Sequence, residues 1–408
     1  MTSLNMADYD YTLPSERIAQ YPLSDRAHSK LLVCRNHVIE DAFFYNLYKF
    51  IKPQTLFFFN NTKVMKARLL FFKETGAAIE IFCLNPVLPA SEMSLAMSET
   101  GGTVWECLVG NARKWKEGVL KKTVSHNGAT VTLKAEKHQS LNRNYHIAFS
   151  WDNKNLPFAD ILEIFGQTPL PPYLNRQTEA VDDERYQTIY AEQHGSVAAP
   201  TAGLHFTPEV LSDIRKYHPD SRFAYLNLNV SAGTFRPVKG DIAKHDMHKE
   251  HFSIKTSAIA DLYRHIDKGT VLAVGTTSAR TLESLYWIGV NMINKKQYTH
   301  QVAQFQDINH PSNISAKNAL EVILEHQGKN GLEELHAFTS IMFVPGYKFR
   351  LVNHLLTNFH QPRSTLVLLV AAFIGKRWKK VYEHAMDNGY RFLSYGDACL
   401  FEVAQSMR

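Results

Sequence analysis

Val271-Leu272-Ala273-Val274-Gly275-Thr276-Thr277-Ser278 decides how the rest of the chain is read. Four apolar residues with no polar alternation suit a strand buried on both faces, and both faces of a sheet are covered chiefly when helices cross over it. A glycine and three hydroxyl residues follow, then a helical stretch from Ala279 to Ile288. Strand, tight polar loop and helix make half of a βαβ unit. Leu56-Phe57-Phe58-Phe59, running into Asn60-Asn61-Thr62, has the same texture, as does Ile341 to Val344 before Pro345-Gly346. Leu355 to Phe359 continues it. Pro362-Arg363-Ser364-Thr365 then opens an apolar helix from Leu366, with Ser364 or Thr365 as its cap.

Residues 68–155 read differently. Tyr145, Ile147, Phe149 and Trp151 alternate with His146, Ala148 and Ser150, the period of a half-buried strand. Val131 and Leu133, then Ile79, Ile81 and Cys83, then Val104 to Val109 give further short strands. Gly76, Gly101-Gly102, Gly118 and Asn127-Gly128 punctuate them as turns. Because α/β texture lies on both sides, the expected fold class is α/β: a discontinuous α/β domain, residues 1–67 and 156–408, with a small antiparallel β-barrel domain, 68–155, inserted in it.

At 408 residues the chain exceeds one compact core, and 45% hydrophobic with 21% charged residues excludes disorder. A net charge of +6 permits a polyanionic partner without demanding one. The four cysteines, Cys34, Cys83, Cys107 and Cys399, are too scattered for a Cys-x-x-Cys site and suit a reducing compartment. The N-terminus has no apolar leader, and the longest apolar run, Leu366 to Ile374, is too short to span a bilayer. A cytoplasmic, soluble chain with no membrane contact is expected. No dinucleotide fingerprint, P-loop or nucleophile elbow occurs, which argues against a dehydrogenase, an NTPase or an α/β-hydrolase.

Four stretches carry possible chemistry. Gly275-Thr276-Thr277-Ser278 offers backbone N–H groups and hydroxyls to an anion, or simply caps its helix. Arg280 either joins that anion or pairs with Glu283 on the surface. The small-residue run from Gly195 to Thr207, with Thr201, Gly203 and His205, lets backbone approach a ligand, or is a tightly packed loop. His245-x-x-His248-x-Glu250-His251 looks metal-like, but strand alternation splits its ligands between two faces, so no metal is assigned. Lys63, Lys66, Arg68, Lys114 and Lys116 either track an RNA backbone or are solvated surface charge.

Asp10-Tyr11-Thr12-Leu13-Pro14, Arg185-Tyr186-Gln187-Thr188, Ala232-Gly233-Thr234-Phe235-Arg236-Pro237-Val238 and Met247-His248-x-Glu250 add to these. So do Arg280-Thr281-Leu282-Glu283-Ser284, Pro345-Gly346-Tyr347, Thr357-Asn358-Phe359-His360 and Tyr390-Arg391-Phe392-x-Ser394-Tyr395-Gly396-Asp397-Ala398. In order and spacing, over essentially the whole chain, they resemble the S-adenosylmethionine:tRNA ribosyltransferase-isomerase family of queuosine biosynthesis.

The resemblance implies an α/β domain with an inserted β-barrel. It also implies transfer and isomerisation of the ribosyl part of S-adenosylmethionine onto 7-aminomethyl-7-deazaguanine at the tRNA wobble position. Epoxyqueuosine forms, and adenine and methionine leave. S-adenosylmethionine is then a co-substrate, tRNA the partner, no other cofactor is expected, and a monomer suffices. The chemistry requires a base for the C–H beside sulfur and an acid for departing adenine; His205, His248, Glu283, His360 and Asp397 lie in matching motifs. Thr201, Gly203, Gly275, Thr276, Thr277, Ser278, Arg280 and Asn358 are the expected binding residues, with Tyr347, Phe359 and Tyr395 available to stack on adenine or an extruded base.

The chain departs from the family pattern at Asn61, where Asp is usual, at Lys66, at Asn229 and Ser231, where His and Gly are usual, and over Ala27 to Lys30. An amide cannot serve as a base, so a paralogue that binds tRNA or an adenosine compound without turnover is the alternative reading. A metal-dependent hydrolase on His245, His248 and His251 is a third.

Overall fold

The computed structural model describes residues 5–35, 38–141, 144–230, 240–295 and 298–407. Ten strands make one mixed sheet, in the order Gln301–Val302, Glu334–Thr339, Glu250–Lys255, Arg222–Leu228, Thr55–Asn60, Thr270–Val274, His354–Asn358, Ala398–Glu402, Lys30–Arg35 and Val38–Phe43. The four central strands, from Arg222–Leu228 to His354–Asn358, run parallel.

The unbroken apolar runs have a direct cause. Leu56, Phe58, Val271 and Ala273 enter one core, while Phe57, Phe59, Leu272 and Val274 enter another on the opposite face. The helix Thr276–Lys295 covers the first face, with Leu282, Leu285, Trp287 and Ile288 buried. The helix Thr365–Ile374 is buried continuously from Val367 to Ile374, as an all-apolar helix must be. Ser364, not Thr365, caps it: its Oγ accepts the Val367 N–H at 3.2 Å.

Seven antiparallel strands form the second sheet, in the order Gly166–Gln167, Arg68–Phe72, Ala78–Leu88, Gly102–Gly110, Tyr145–Trp151, Ala129–Ser140 and Leu120–His126. Ile79, Ile81, Trp105, Ile147, Phe149 and Trp151 fill its concave side. Among the described residues no ladder joins the first strand to the last, so the sheet is a half-barrel rather than a closed one. The helix Phe158–Phe165 adds Phe158, Ile161, Leu162 and Phe165 to this core, which therefore reaches past residue 155. Among the described residues no helix is long and apolar enough to cross a membrane.

Candidate active site

Parallel strands expose their carboxyl ends together, and ligands of α/β sheets bind beyond those ends. Here the ends of Thr270–Val274 and His354–Asn358 lead into a cavity of about 80 Å³. Gly275, Thr276 and Thr277 line one side, Thr357 to Gln361 another, and Ala198 to Ala202 a third. Tyr173, Val230, Ser364, Leu366, Leu393 and Ser394 complete the wall. Gly275 has φ +89, which a side chain would strain, and this turn aims the start of the following helix at the cavity. The Thr277 Oγ1 is buried with no hydrogen-bond partner. A polar ligand group would satisfy it and the helix's first amides.

His360 lies in this wall. Its Nε2 is 3.0 Å from Thr357 Oγ1, and burial lowers its pKa to about 3. Tyr173, the other titratable side chain on the wall, has its hydroxyl 2.5 Å from Ser394 Oγ, and burial pushes its pKa up.

His205 stands behind the wall, on the short turn Thr201–His205. Its Nε2 is 3.1 Å from Asn358 Nδ2 and its Nδ1 2.8 Å from Ser29 Oγ. Thr201 Oγ1 donates to Asn358 Oδ1 at 2.8 Å, which points the Asn358 amide nitrogen at the ring. Nε2 of His205 is thus the acceptor and Nδ1 carries the proton. Burial first, then the Arg391 charge, lowers its pKa to about 3.

These two rings make the fold acid-sensitive. A histidine whose folded pKa falls below its unfolded value of about 6.5 binds fewer protons folded than unfolded, so its contribution is present above pH 6.5 and fades as pH falls toward 3. Burial lowers His194, His245 and His251 in the same direction. Chemical denaturation at pH 6 and pH 5 should show a loss of about 2 kcal/mol from His205 and His360 together. Equal stability at the two values would contradict neutral burial of these rings.

Of the expected residues, Thr201, Gly275, Thr276, Thr277, Asn358, Phe359 and His360 meet in this cavity. Others do not. Glu283 is fully buried and accepts the amides of Arg350, Leu351 and Val352 at 2.9–3.1 Å and the Tyr347 hydroxyl at 3.0 Å. Its carboxylate pins a loop and is closed to substrate. Tyr347 is equally occupied, between Glu283 and the Trp287 indole N–H at 2.9 Å, so it offers no stacking face. Asp397 accepts the Lys30 and Arg391 amides at 3.0 and 2.7 Å. The Ser278 hydroxyl donates to Val274 O at 2.8 Å, inside its own helix start. A Cβ at Gly203 would meet the Tyr190 hydroxyl at 2.0 Å, so this glycine serves packing. The Tyr395 hydroxyl donates to Asp182 at 2.8 Å. Arg280 lies outside this cavity and does not pair with Glu283: it is buried, ion-paired with Glu250 through Nη1, and donates Nε to Ile341 O at 3.2 Å, while its buried Nη2 has no hydrogen-bond partner among the described residues.

His248 is exposed on a separate cleft of about 660 Å³ between the half-barrel and the large sheet, shared with His251, His300 and His336. There His251 stacks on His336, 5.5 Å between centroids, and Glu250 is held by Arg280, so the metal-like run is dispersed. Lys66 pairs with Asp183 and Glu163, and Arg68 with Glu80, which removes both from the free basic surface. Tyr173, Ser364 and Ser394 were not nominated from sequence. Ser394 lies inside a quoted motif, but hydroxyl residues without a partner pattern carry no signal of their own.

The family model described as "Queuosine biosynthesis protein" matches residues 6–401. The S-adenosylmethionine:tRNA ribosyltransferase-isomerase of Nitrosomonas eutropha is 35% identical over 400 residues, 97% of each chain. That of Thermosipho africanus is 36% identical, over 97% of this chain and 99% of the relative. The chain belongs to the S-adenosylmethionine:tRNA ribosyltransferase-isomerase family. A crystal structure of S-adenosylmethionine tRNA ribosyltransferase from Thermotoga maritima is 27% identical, with a TM-score of 0.46 over 96% of this chain and 99% of that one.

Asn61 donates Nδ2 to Glu192 at 3.2 Å, and its backbone carbonyl accepts the amides of Glu192 and Gln193. It ties a strand end to a loop, and an aspartate there would face a like charge. Asn229 lies on the large cleft, against Gly195. Neither lines the cavity that holds His360. Ser231 and the run Ala232 to Val238 lie outside the described residues.

Proposed function

We propose that this chain transfers and isomerises the ribosyl part of S-adenosylmethionine onto 7-aminomethyl-7-deazaguanine in tRNA, giving epoxyqueuosine with release of adenine and methionine. The observation that carries this reading is the match to the family from end to end, residues 6–401. The geometry agrees with it. Three family motifs far apart in sequence, around Thr201, Gly275 and Asn358, converge on one cavity.

In this reading the cavity receives one end of S-adenosylmethionine, since about 80 Å³ is less than the whole co-substrate fills. A polar group of the co-substrate takes the unpartnered Thr277 hydroxyl and the amides at the helix start. His360 is the base for the C–H beside sulfur, because it is the one histidine on the described wall of the cavity. If Nε2 donates to Thr357, the Nδ1 lone pair is left to take the proton. The imidazolium so formed is stabilised by the carbanionic carbon made in the same step. His205 and Asn358 position the wall, and the attacking nucleophile is the amine of the modified base, so no protein nucleophile is required.

The test is incubation with S-adenosylmethionine and tRNA bearing the aminomethyl base. Adenine release and a matching gain in tRNA mass are expected. Well-folded protein that yields neither refutes the reading.

A further inference from the structure

Behind the wall, His205 and Ser394 border a second, smaller cavity of about 20 Å³. Arg26, Arg185 and Arg391 line it, with Ser29 and Tyr395, and no Asp or Glu is among its lining residues. Four carboxylates lie near: Asp397 accepts the Lys30 and Arg391 amides and pairs with the Arg391 guanidinium, Asp182 is held by Arg176 and Tyr395, and the charges of Asp25 and Glu184 act on Arg185 and Arg26 from outside the cavity. A guanidinium has five N–H donors. Arg26 gives one to Gln187 O at 3.1 Å, and Arg391 gives one to Asp397 at 3.4 Å. Arg185 holds the carbonyls of Leu23 and Ser24, and its buried Nε has no partner. The guanidiniums repel one another: burial, then the Arg185 charge, lowers the Arg26 pKa.

The surface beside this cavity carries exposed rings. Arg26 and His28 share one short turn, and His28 lies 5.2 Å from Tyr45, between ring centroids. Tyr45 in turn stacks on Phe43 at 5.5 Å with an interplanar angle of 6°. Both are exposed, 38% and 43%. Cations that follow a phosphate chain beside flat apolar rings are how unpaired RNA is held. The large cleft mixes its charges: Glu92 and Glu106 line it beside Lys249 and four histidines, and it holds no arginine cluster.

We infer that Arg26, Arg185 and Arg391 hold a phosphodiester group of an unpaired RNA loop at the mouth of this cavity, which at about 20 Å³ admits no more than one of its oxygens, while the bases stack on Phe43 and Tyr45. That the RNA is the tRNA substrate rests on the function proposed above. Ser394 lines both this cavity and the one that holds His360, so RNA held here lies one residue from the proposed chemistry.

The experiment measures binding of a fluorescent, unmodified RNA stem-loop by anisotropy across a salt series, for the wild type, Arg26→Gln, Arg391→Gln and the surface pair Phe43→Ser with Tyr45→Ser. Each arginine variant should weaken binding about tenfold or more and reduce the slope of log affinity against log salt by roughly 0.7–1. S-adenosylmethionine affinity should not change. The ring variant should weaken binding without changing the slope, and because both rings are exposed it avoids any folding defect in the arginine variants. RNA affinity and slope equal to wild type in all three overturn the inference. So does equal thermal stabilisation by inorganic phosphate alone and by the RNA, which would assign the cavity to a free anion. Wild type that turns over tRNA while the variants keep its KM overturns this site and leaves the function standing. Arginine-dependent RNA binding with no turnover does the reverse.

Discussion

Replacing Arg280 by Ala should lower the stability of the fold by about 3–5 kcal/mol, the cost of removing one partner from a buried ion pair. The side chains of Arg280 and Glu250 are 8% and 3% exposed, so water cannot replace the lost guanidinium. Glu250 sits on the strand Glu250–Lys255 and Arg280 in the helix Thr276–Lys295, so the pair locks helix to sheet. The Nε bond to Ile341 O is lost as well. Lys at this position should recover only part, since a point charge cannot serve Glu250 and Ile341 together. The double change Arg280→Met with Glu250→Leu should be milder than Arg280→Ala, because the Glu250 carboxylate is removed together with the guanidinium that neutralises it. Urea unfolding with an unchanged m-value decides it. A loss under about 1 kcal/mol for Arg280→Ala would return this arginine to the class of surface charges.

His360→Gln should reduce kcat by a factor on the order of 10²–10⁴, the range for one positioned base, while KM for S-adenosylmethionine changes little. Gln can keep a hydrogen bond to Thr357 Oγ1, so the wall is preserved and the basic nitrogen is lost. Thr357→Val keeps the base and removes its orienting partner, and a smaller fall in kcat is expected. The pH profile supplies a second readout. With a folded pKa of about 3, the ring remains a base down to the limit of stability, so kcat should show no acid limb from this group between pH 6 and 8. A loss of less than tenfold in His360→Gln would remove it from the reaction.

The α/β framework was legible because its central strands are buried on both faces. Leu56 to Phe59 and Val271 to Val274 have no polar face to show, and that pattern has few other readings. The half-barrel was legible from its period-two strands. Its open edge was not, because closure depends on whether the first and last strands meet, which neither records locally. Nor was the share of Phe158–Phe165 in its core, since a helix's period shows that one face is buried, not against which sheet.

Motif and family resemblance brought Thr201, Gly275, Asn358 and His360 into view, and the fold gathers them. It also separates residues that share a motif. Arg280 and Glu283 are three residues apart on one helix, yet one pairs with a strand and the other with the amides of Arg350 to Val352. A sequence assigns charge to a position but not the partner that neutralises it. The unbroken strands, the glycine turn, the helix start and the Ser364 cap follow from local sterics and hydrogen bonding, and so the sequence by itself determined them. Which carboxylate is pinned, which histidine reaches the cavity and which arginines gather behind its wall follow from burial and from partners distant in the sequence, and so only the tertiary structure decided them.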